Sequence, residues 1–279
     1  MNTLDPPNHG LPQGWGDDSL SHFQGAAIQN EFATFVHSPA WQRALSAISH
    51  DLLNCSTYAI ADVLNVDDPA ARLLFMTAHN HFLASARLVL SGQCLSAYAT
   101  GRAAVESALY GWYLAGKPAA CQRWHDKPKT HQERKKWDAE FRFSALASAL
   151  SSIDGGTAEW AKYLHQTAID FGAHPNKDAL YSNMSIETTM TGTRFTVSFL
   201  HKWQAFSISA TKFVAETGMF VIGLFGKAFP DADQRHGLLA AASRHAMTLH
   251  ELINETAEFV QNDLQASNAR ADGAGPTQV

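Results

Sequence analysis

The chain has 279 residues, of which 46% are hydrophobic and 17% are charged, compared with about 25% charged residues in a typical soluble protein. The formal net charge of −5 argues against nucleic-acid binding through the overall field, although it leaves room for a local basic patch. The three widely spaced cysteines form neither a disulfide framework nor a zinc motif, and the polar N-terminal stretch lacks the apolar run of a signal peptide. We therefore expect a cytoplasmic protein that does not enter a membrane.

Loose segments are predicted at both ends of the chain, with one domain between them. Residues 1–25 are rich in Pro, Gly, Asp and Asn, as in a flexible arm, and the small polar residues 267–279 indicate a disordered tail. Residues 26–266 form the predicted domain. Because apolar residues recur there with helical spacing between Gly and Pro breaks, we expect helices over 41–66, 69–90, 93–115, 130–153, 157–171, 203–229 and 232–265.

One segment, "MSIETTMTGTRFTVSF", has a different period. Apolar side chains alternate at Met184 and Ile186 and again at Phe195 and Val197, with Thr-Gly near the middle, and a period of two around a turn predicts a short β-hairpin. The predicted fold class is therefore all-α. It is a single helical bundle domain with a small β-hairpin inserted after the fifth or sixth helix.

The predicted helix 93–115 carries two charges in an apolar setting. Arg102 and Glu106 are the only charged residues between Arg87 and Lys117, and a spacing of four places them on one side of the helix. The opposite side carries small residues, which allow another helix to approach closely. We therefore expect this helix to be central and its charges to be buried.

Two interpretations of this pair remain open. Burial of either charge alone would cost several kcal/mol, so the two must pair with each other or with further polar groups. The pair can be structural and set the register of the helix. Alternatively, it lines a polar pocket in which Arg102 binds an anion and Glu106 orients it or acts as a general base.

The stretch "FGAHPN" (171–176) provides the predicted third member of this site. Gly172 can end a helix and Pro175 prevents it from resuming, which leaves His174 at a helix end, where its protonated form is favoured. His174 can simply cap its own helix, or it can join Arg102 and Glu106 as a catalytic residue. The hairpin that follows would then act as a flap over the site.

Further ligand-binding candidates are Asn80 and Arg87, which are seven residues apart on one helix face, and Asn176, which follows the His-Pro pair. Arg87 can also be a simple helix-end cation. The histidines do not have the spacing of a zinc or di-iron motif, and phosphate-binding, dinucleotide and nucleophile motifs are missing from the sequence. We therefore predict neither a metal site nor a cofactor.

A basic segment, 123–142, holds seven Lys or Arg residues against four acids and includes Trp124 and Trp137. Such a segment can follow a phosphate backbone and stack bases, or it can be a solvated helix face with two tryptophans turned inward. The nucleic-acid-binding candidates are Arg123, Lys127, Lys129, Arg134, Lys135 and Lys136.

The stretch "YATGRAAVESALYGWYL", followed later by "FGAHPN", resembles the uncharacterised bacterial helical families related to HEPN domains, including abortive-infection-type proteins. The shared pattern is Arg-x-x-x-Glu in a central apolar helix and a later His-Pro, over roughly residues 40–260. The resemblance implies a helical bundle, frequent homodimers and, in many members, ribonuclease activity. The chain departs from the HEPN motif because Arg102 is not followed by a His on its own helix, so His174 would have to replace it through space.

The sequence thus predicts an RNA-directed protein, a ribonuclease or RNA-binding protein with a phage-defence or toxin-like role, which acts through Arg102, Glu106 and His174. We expect a homodimer. The alternative is a non-catalytic helical scaffold or small-ligand sensor, and a metal-dependent hydrolase comes third.

Overall fold

The computed structural model describes residues 12–61, 63–126, 128–174, 177–189 and 192–273. Within those residues the chain forms twelve α-helices and one two-stranded antiparallel hairpin, which confirms the predicted all-α class with an inserted hairpin. The helices are α1 (Ser19–His37), α2 (Pro39–Ala61), α3 (Ala70–Leu90), α4 (Cys94–Leu114), α5 (Pro118–His125), α6 (His131–Phe141), α7 (Phe143–Ser151), α8 (Gly155–Ala168), α9 (Lys177–Ser182), α10 (Ala205–Ala228), α11 (Pro230–His236) and α12 (Leu238–Gly273).

The hairpin lies where it was predicted. Strand β1 (Met184–Thr189) pairs with β2 (Gly192–Val197), with Met184 opposite Val197 and Glu187 opposite Arg194. All of β2 is exposed, so this part of the hairpin projects from the bundle rather than packing into it.

Helices α4 and α10 form the centre of the bundle. α4 packs against α3, α8 and α10, and α10 also packs against α2 and α12. The small residues on one side of α4 permit this arrangement, as predicted. A methyl group on Gly101 would lie 2.5 Å from a ring carbon of Phe213 on α10, and one on Gly111 would lie 2.8 Å from the ring of Phe75 on α3.

Helix α10 is the one helix of the described chain that is long and apolar enough to span a membrane. Its most apolar stretch has a mean hydropathy of 1.4, and 72% of that stretch is buried inside the bundle. Burial of this kind is common in the core helices of soluble proteins.

Two predicted helices are each divided in the structure. The predicted helix 130–153 is interrupted at Arg142, whose extended backbone (φ −65°, ψ 148°) separates α6 from α7. Phe141, just before the turn, is fully buried, so the chain changes direction to keep it inside. The predicted helix 232–265 is interrupted at Gly237, which adopts the left-handed conformation (φ 61°, ψ 41°).

The ends of the domain also differ from the prediction. Helix α1 begins at Ser19, inside the predicted arm 1–25, because the Asp18 carboxylate accepts hydrogen bonds from the N–H groups of Leu20 and Ser21 and caps the helix. Helix α12 continues to Gly273, past the predicted start of the tail at residue 267.

The "FGAHPN" stretch lies at the end of a π-helical turn, Ile169–Ala173, that continues α8. Gly172 is in close contact with the backbone of Leu95 at the start of α4, where a Cβ atom would clash. This glycine therefore lets the turn pack directly on α4. His174 follows with extended backbone and an exposed side chain, and residues 175–176 lie outside the described residues.

Candidate functional site

Arg102 and Glu106 form the predicted ion pair on α4. The Nε atom of Arg102 lies 2.8 Å from Oε1 of Glu106, across one helical turn. Within the described chain, Arg102 makes its hydrogen bonds through Nε, so its two terminal amino groups are available to a ligand.

The histidine that joins this pair is His165 on α8. Its Nε2 atom lies 3.0 Å from Oε1 of Glu106 and 3.2 Å from Nε of Arg102, so three side chains from two helices converge. His165 is not among the residues predicted from the sequence, and the predicted role of His174 stays a prediction. We refer to Arg102, Glu106 and His165 as the triad.

The hydrogen bonds of His165 depend on which ring nitrogen carries the proton. With a proton on Nε2, His165 donates a hydrogen bond to the Glu106 carboxylate. Without it, Nε2 accepts a hydrogen bond from Nε of Arg102. The Nε2 atom of His165 thus has a hydrogen-bond partner in either tautomer.

The two charges are partly buried rather than fully buried. The Arg102 and Glu106 side chains are 30% and 34% exposed, while that of His165 is 14% exposed. Apolar neighbours on α4 suggested full burial, but neighbouring helices cover only part of this side. The pair lies at the edge of the bundle, where a ligand from solvent can reach it.

The carboxyl group of Glu106 is held in its ionised form. Burial raises the pKa of Glu106, but hydrogen bonds from His165 and Arg102, together with the charge of Arg102, outweigh burial and lower the pKa below its usual value. Glu106 is therefore a carboxylate near neutral pH, suited to orient the histidine and to stabilise its protonated form.

A phenylalanine holds the plane of the histidine ring. Phe143, the first residue of α7, stacks on His165 with ring centroids 3.7 Å apart and ring planes at 13°. The turn at Arg142 directs α7 towards α8, so the break in the predicted helix 130–153 is what brings Phe143 to this position.

A basic cleft of about 440 Å³ lies on α6 and at the turn that leads to Phe143. We use the name basic cleft for the region lined by His131, Arg134, Lys135, Asp138, Ala139 and Arg142. Its one carboxylate, Asp138, lies 3.9 Å from Arg134, which is a loose pair on an exposed surface. The cleft thus carries net positive charge.

Tyr110 on α4 connects the triad with the basic cleft. Its hydroxyl donates a hydrogen bond to the carbonyl of Phe141, at the end of α6. Burial raises the pKa of Tyr110, and the negative charges of Glu106 and Asp138 raise it further. Arg142 of the basic cleft is followed directly by Phe143, which stacks on His165, so the basic cleft and the triad are linked through consecutive residues.

The predicted nucleic-acid-binding residues fall into separate groups. Arg134 and Lys135 line the basic cleft. Arg123 is bound by the Glu140 carboxylate, with Nη2–Oε1 at 2.7 Å and Nε–Oε2 at 2.9 Å, so its charge is already neutralised. Lys129 and Lys136 line a second cleft with Glu133 and Glu140, and Lys127 lies outside the described residues.

The predicted ligand-binding residues do not contact the triad in the described structure. Arg87 pairs with Glu31 at 3.1 Å and ties α3 to α1, while Asn80 is exposed on α3. Asn176 lies outside the described residues.

Sequence reasoning missed His165 and Phe143. A signal for His165 was present, because it lies four residues after Ala161 and three before Ala168, on the buried side of its helix. Phe143 carried no comparable signal, since its position depends on the turn at Arg142.

Comparisons of this chain with protein-family models, curated proteins and solved structures returned no match. We therefore infer the function from the chemistry of the site itself.

Proposed function

We propose that this protein binds single-stranded RNA and cleaves it at the triad. The observation that carries the proposal is the convergence of Arg102, Glu106 and His165 at a solvent-accessible edge beside the basic cleft. The same proposal includes a phage-defence or toxin-like role and a homodimer, which are what the resemblance to HEPN-related families implies.

Each member of the triad has a role in this reaction. The free amino groups of Arg102 bind the phosphate and stabilise the negative charge that develops on its oxygens. His165 accepts the proton of the attacking 2′-hydroxyl as that oxygen bonds to phosphorus. The bond from phosphorus to the 5′-oxygen breaks, the 5′-oxygen takes a proton from water, and the phosphate is left as a 2′,3′-cyclic ester. Glu106 orients the imidazole and stabilises it once it is protonated.

The basic cleft supplies the binding surface next to the reacting phosphate. Arg134, Lys135 and Arg142 can neutralise successive phosphates of a single strand, which gives affinity without reading sequence. Binding by such a patch releases counterions from the phosphates that it neutralises, so it should weaken strongly as salt is added.

RNA cleavage by purified variants tests the proposal. We expect His165→Ala to lose cleavage while its melting temperature stays near that of the wild type. His174→Ala, which removes the histidine expected from the sequence, should keep activity, as should the matched control His236→Ala at another exposed histidine. Cleavage that survives His165→Ala, or that is lost in His174→Ala, would contradict the assignment.

A scaffold or small-ligand sensor is the second candidate, and the link that the triad makes between α4 and α8 favours it. If the pair is structural, Arg102→Ala and Glu106→Ala unfold the protein, and the wild type cleaves no RNA. Thermal unfolding of both variants, beside the cleavage assay, separates the two functions.

A further inference from the structure

A third cleft, of about 500 Å³, lies between α5 and α6. It is lined by Trp124, His125, Pro128, Arg134 and Trp137, so every lining residue carries a ring or a guanidinium group. We call it the aromatic cleft. From its shape and chemistry we infer that it binds a nucleobase of the RNA strand, an inference that rests on the proposed function and names its base-binding subsite.

The walls of the aromatic cleft are held in place before any ligand arrives. Nε2 of His125 lies 3.0 Å from Oδ2 of Asp68, and the Trp124 ring meets the His125 ring edge-on at 5.1 Å. Trp137 packs on Phe141, which is fully buried, with ring centroids 5.0 Å apart. A preorganised site of this kind loses little conformational entropy on binding.

The start of α6 is also fixed, which sets the position of Trp137 relative to Trp124. Thr130 and Glu133 form a reciprocal capping box: the Thr130 hydroxyl accepts from the Glu133 N–H, and the Glu133 carboxylate accepts from the Thr130 N–H.

Only part of the Trp124 and Trp137 side chains is buried against the core. Trp124 and Trp137 cover a small buried cluster that includes Leu114 and Phe141, but each is only half-buried. Aromatic side chains next to a cation can stack on nucleobases of any sequence.

Arg134 determines what kind of ligand fits. It lines both the aromatic cleft and the basic cleft, and its side chain is 73% exposed and only loosely paired. A base in the aromatic cleft would therefore have its phosphate beside Arg134 and Lys135. The ligand class is a nucleotide unit, with a planar base and an attached phosphate, rather than an apolar molecule.

The seven tryptophans of the chain provide the test. AMP would be titrated into the full-length ¹⁵N-labelled protein while the indole N–H signals are followed, with signals assigned from Trp124→Phe and Trp137→Phe. We expect the signals of Trp124 and Trp137 to shift, and that of Trp160, which packs on Phe220 in the core, to stay unchanged. Ribose 5-phosphate, which lacks the base, should shift them far less.

Substitution gives a second readout. We expect Trp124→Leu to weaken AMP binding by about tenfold, the size of one base–aromatic stack, and Arg134→Gln to weaken AMP binding while leaving adenosine binding nearly unchanged. If AMP leaves both signals in place, or if ribose 5-phosphate shifts them equally, the base subsite is wrong.

AMP binding in the aromatic cleft does not depend on the triad. It should persist in Glu106→Gln, a variant that the proposed function expects to lose cleavage. Base binding without cleavage in the wild type would contradict the proposed reaction alone, whereas cleavage without base binding would contradict the aromatic cleft alone.

Discussion

Phe143 lies flat against His165, with their ring centroids 3.7 Å apart and their planes at 13°, although the two residues belong to different helices. Phe143 begins α7 and His165 lies near the end of α8, and the two helices pack against each other. The contact holds the imidazole in the plane in which Nε2 meets Glu106. It therefore links the local turn at Arg142 to the geometry of the triad.

Phe143→Leu should lower RNA cleavage more than it lowers stability. Leucine keeps apolar contact but not the flat face, so the imidazole becomes free to turn, and we expect roughly a 10- to 100-fold loss of rate. The measurement is single-turnover cleavage beside thermal unfolding. Phe199→Leu, at a phenylalanine that is 76% exposed, is the matched control and should cleave like the wild type. Equal rates in both variants would contradict a positioning role for Phe143.

Glu106→Gln should reveal how the triad depends on pH. The folded-state pKa of Glu106 lies below its unfolded value, so its contribution to stability is present above about pH 4.3 and is lost as the pH falls through the folded-state pKa. Urea unfolding at pH 7 and at pH 3 measures this. The wild type should exceed Glu106→Gln in stability at pH 7, and the difference should shrink at pH 3. A difference that is the same at both values would show that the carboxylate is not stabilised by its partners.

Gly101→Ala should destabilise the bundle because the new methyl group would lie 2.5 Å from a ring carbon of Phe213. Overpacking of this kind costs about 1–3 kcal/mol. Gly223→Ala is the control on α10, since a Cβ atom there meets no atom within 4 Å, and it should stabilise the helix by about 0.5–1 kcal/mol. Urea unfolding of both variants gives the free energies. Stabilisation by both would mean that α4 and α10 are not in close contact at Gly101.

Neutralising the basic cleft should reduce the salt dependence of RNA binding. We expect the double variant Arg134→Gln/Lys135→Gln to lower the slope of log K against log salt by about 0.7 for each phosphate of a single strand that it no longer neutralises. Lys162→Gln is the control, because Lys162 already pairs with Glu159 at 2.6 Å. The readout is the fluorescence anisotropy of labelled RNA over a range of salt concentrations. An unchanged slope in the double variant would place the RNA on another surface.

The sequence by itself determined the helical class, most helix positions and the hairpin at 184–199. These features are local: the period of apolar residues, the Gly and Pro breaks and the spacing of four between Arg102 and Glu106 do not depend on the rest of the fold. The same local signals explain why Gly101 and Gly111 could be predicted to face neighbouring helices. They do not reveal a turn without Gly or Pro, so the break at Arg142 could not be predicted.

Only the tertiary structure decided which histidine joins the ion pair and how far the pair is exposed. His165 and His174 are both near the end of the same predicted helix, and the crossing of α4 and α8 brings the Nε2 atom of the first to Glu106. The exposure of Arg102 and Glu106 likewise depends on how much of α4 its neighbours cover. Contacts between residues about sixty positions apart follow from the packing of whole helices, for which a single sequence has no local signal.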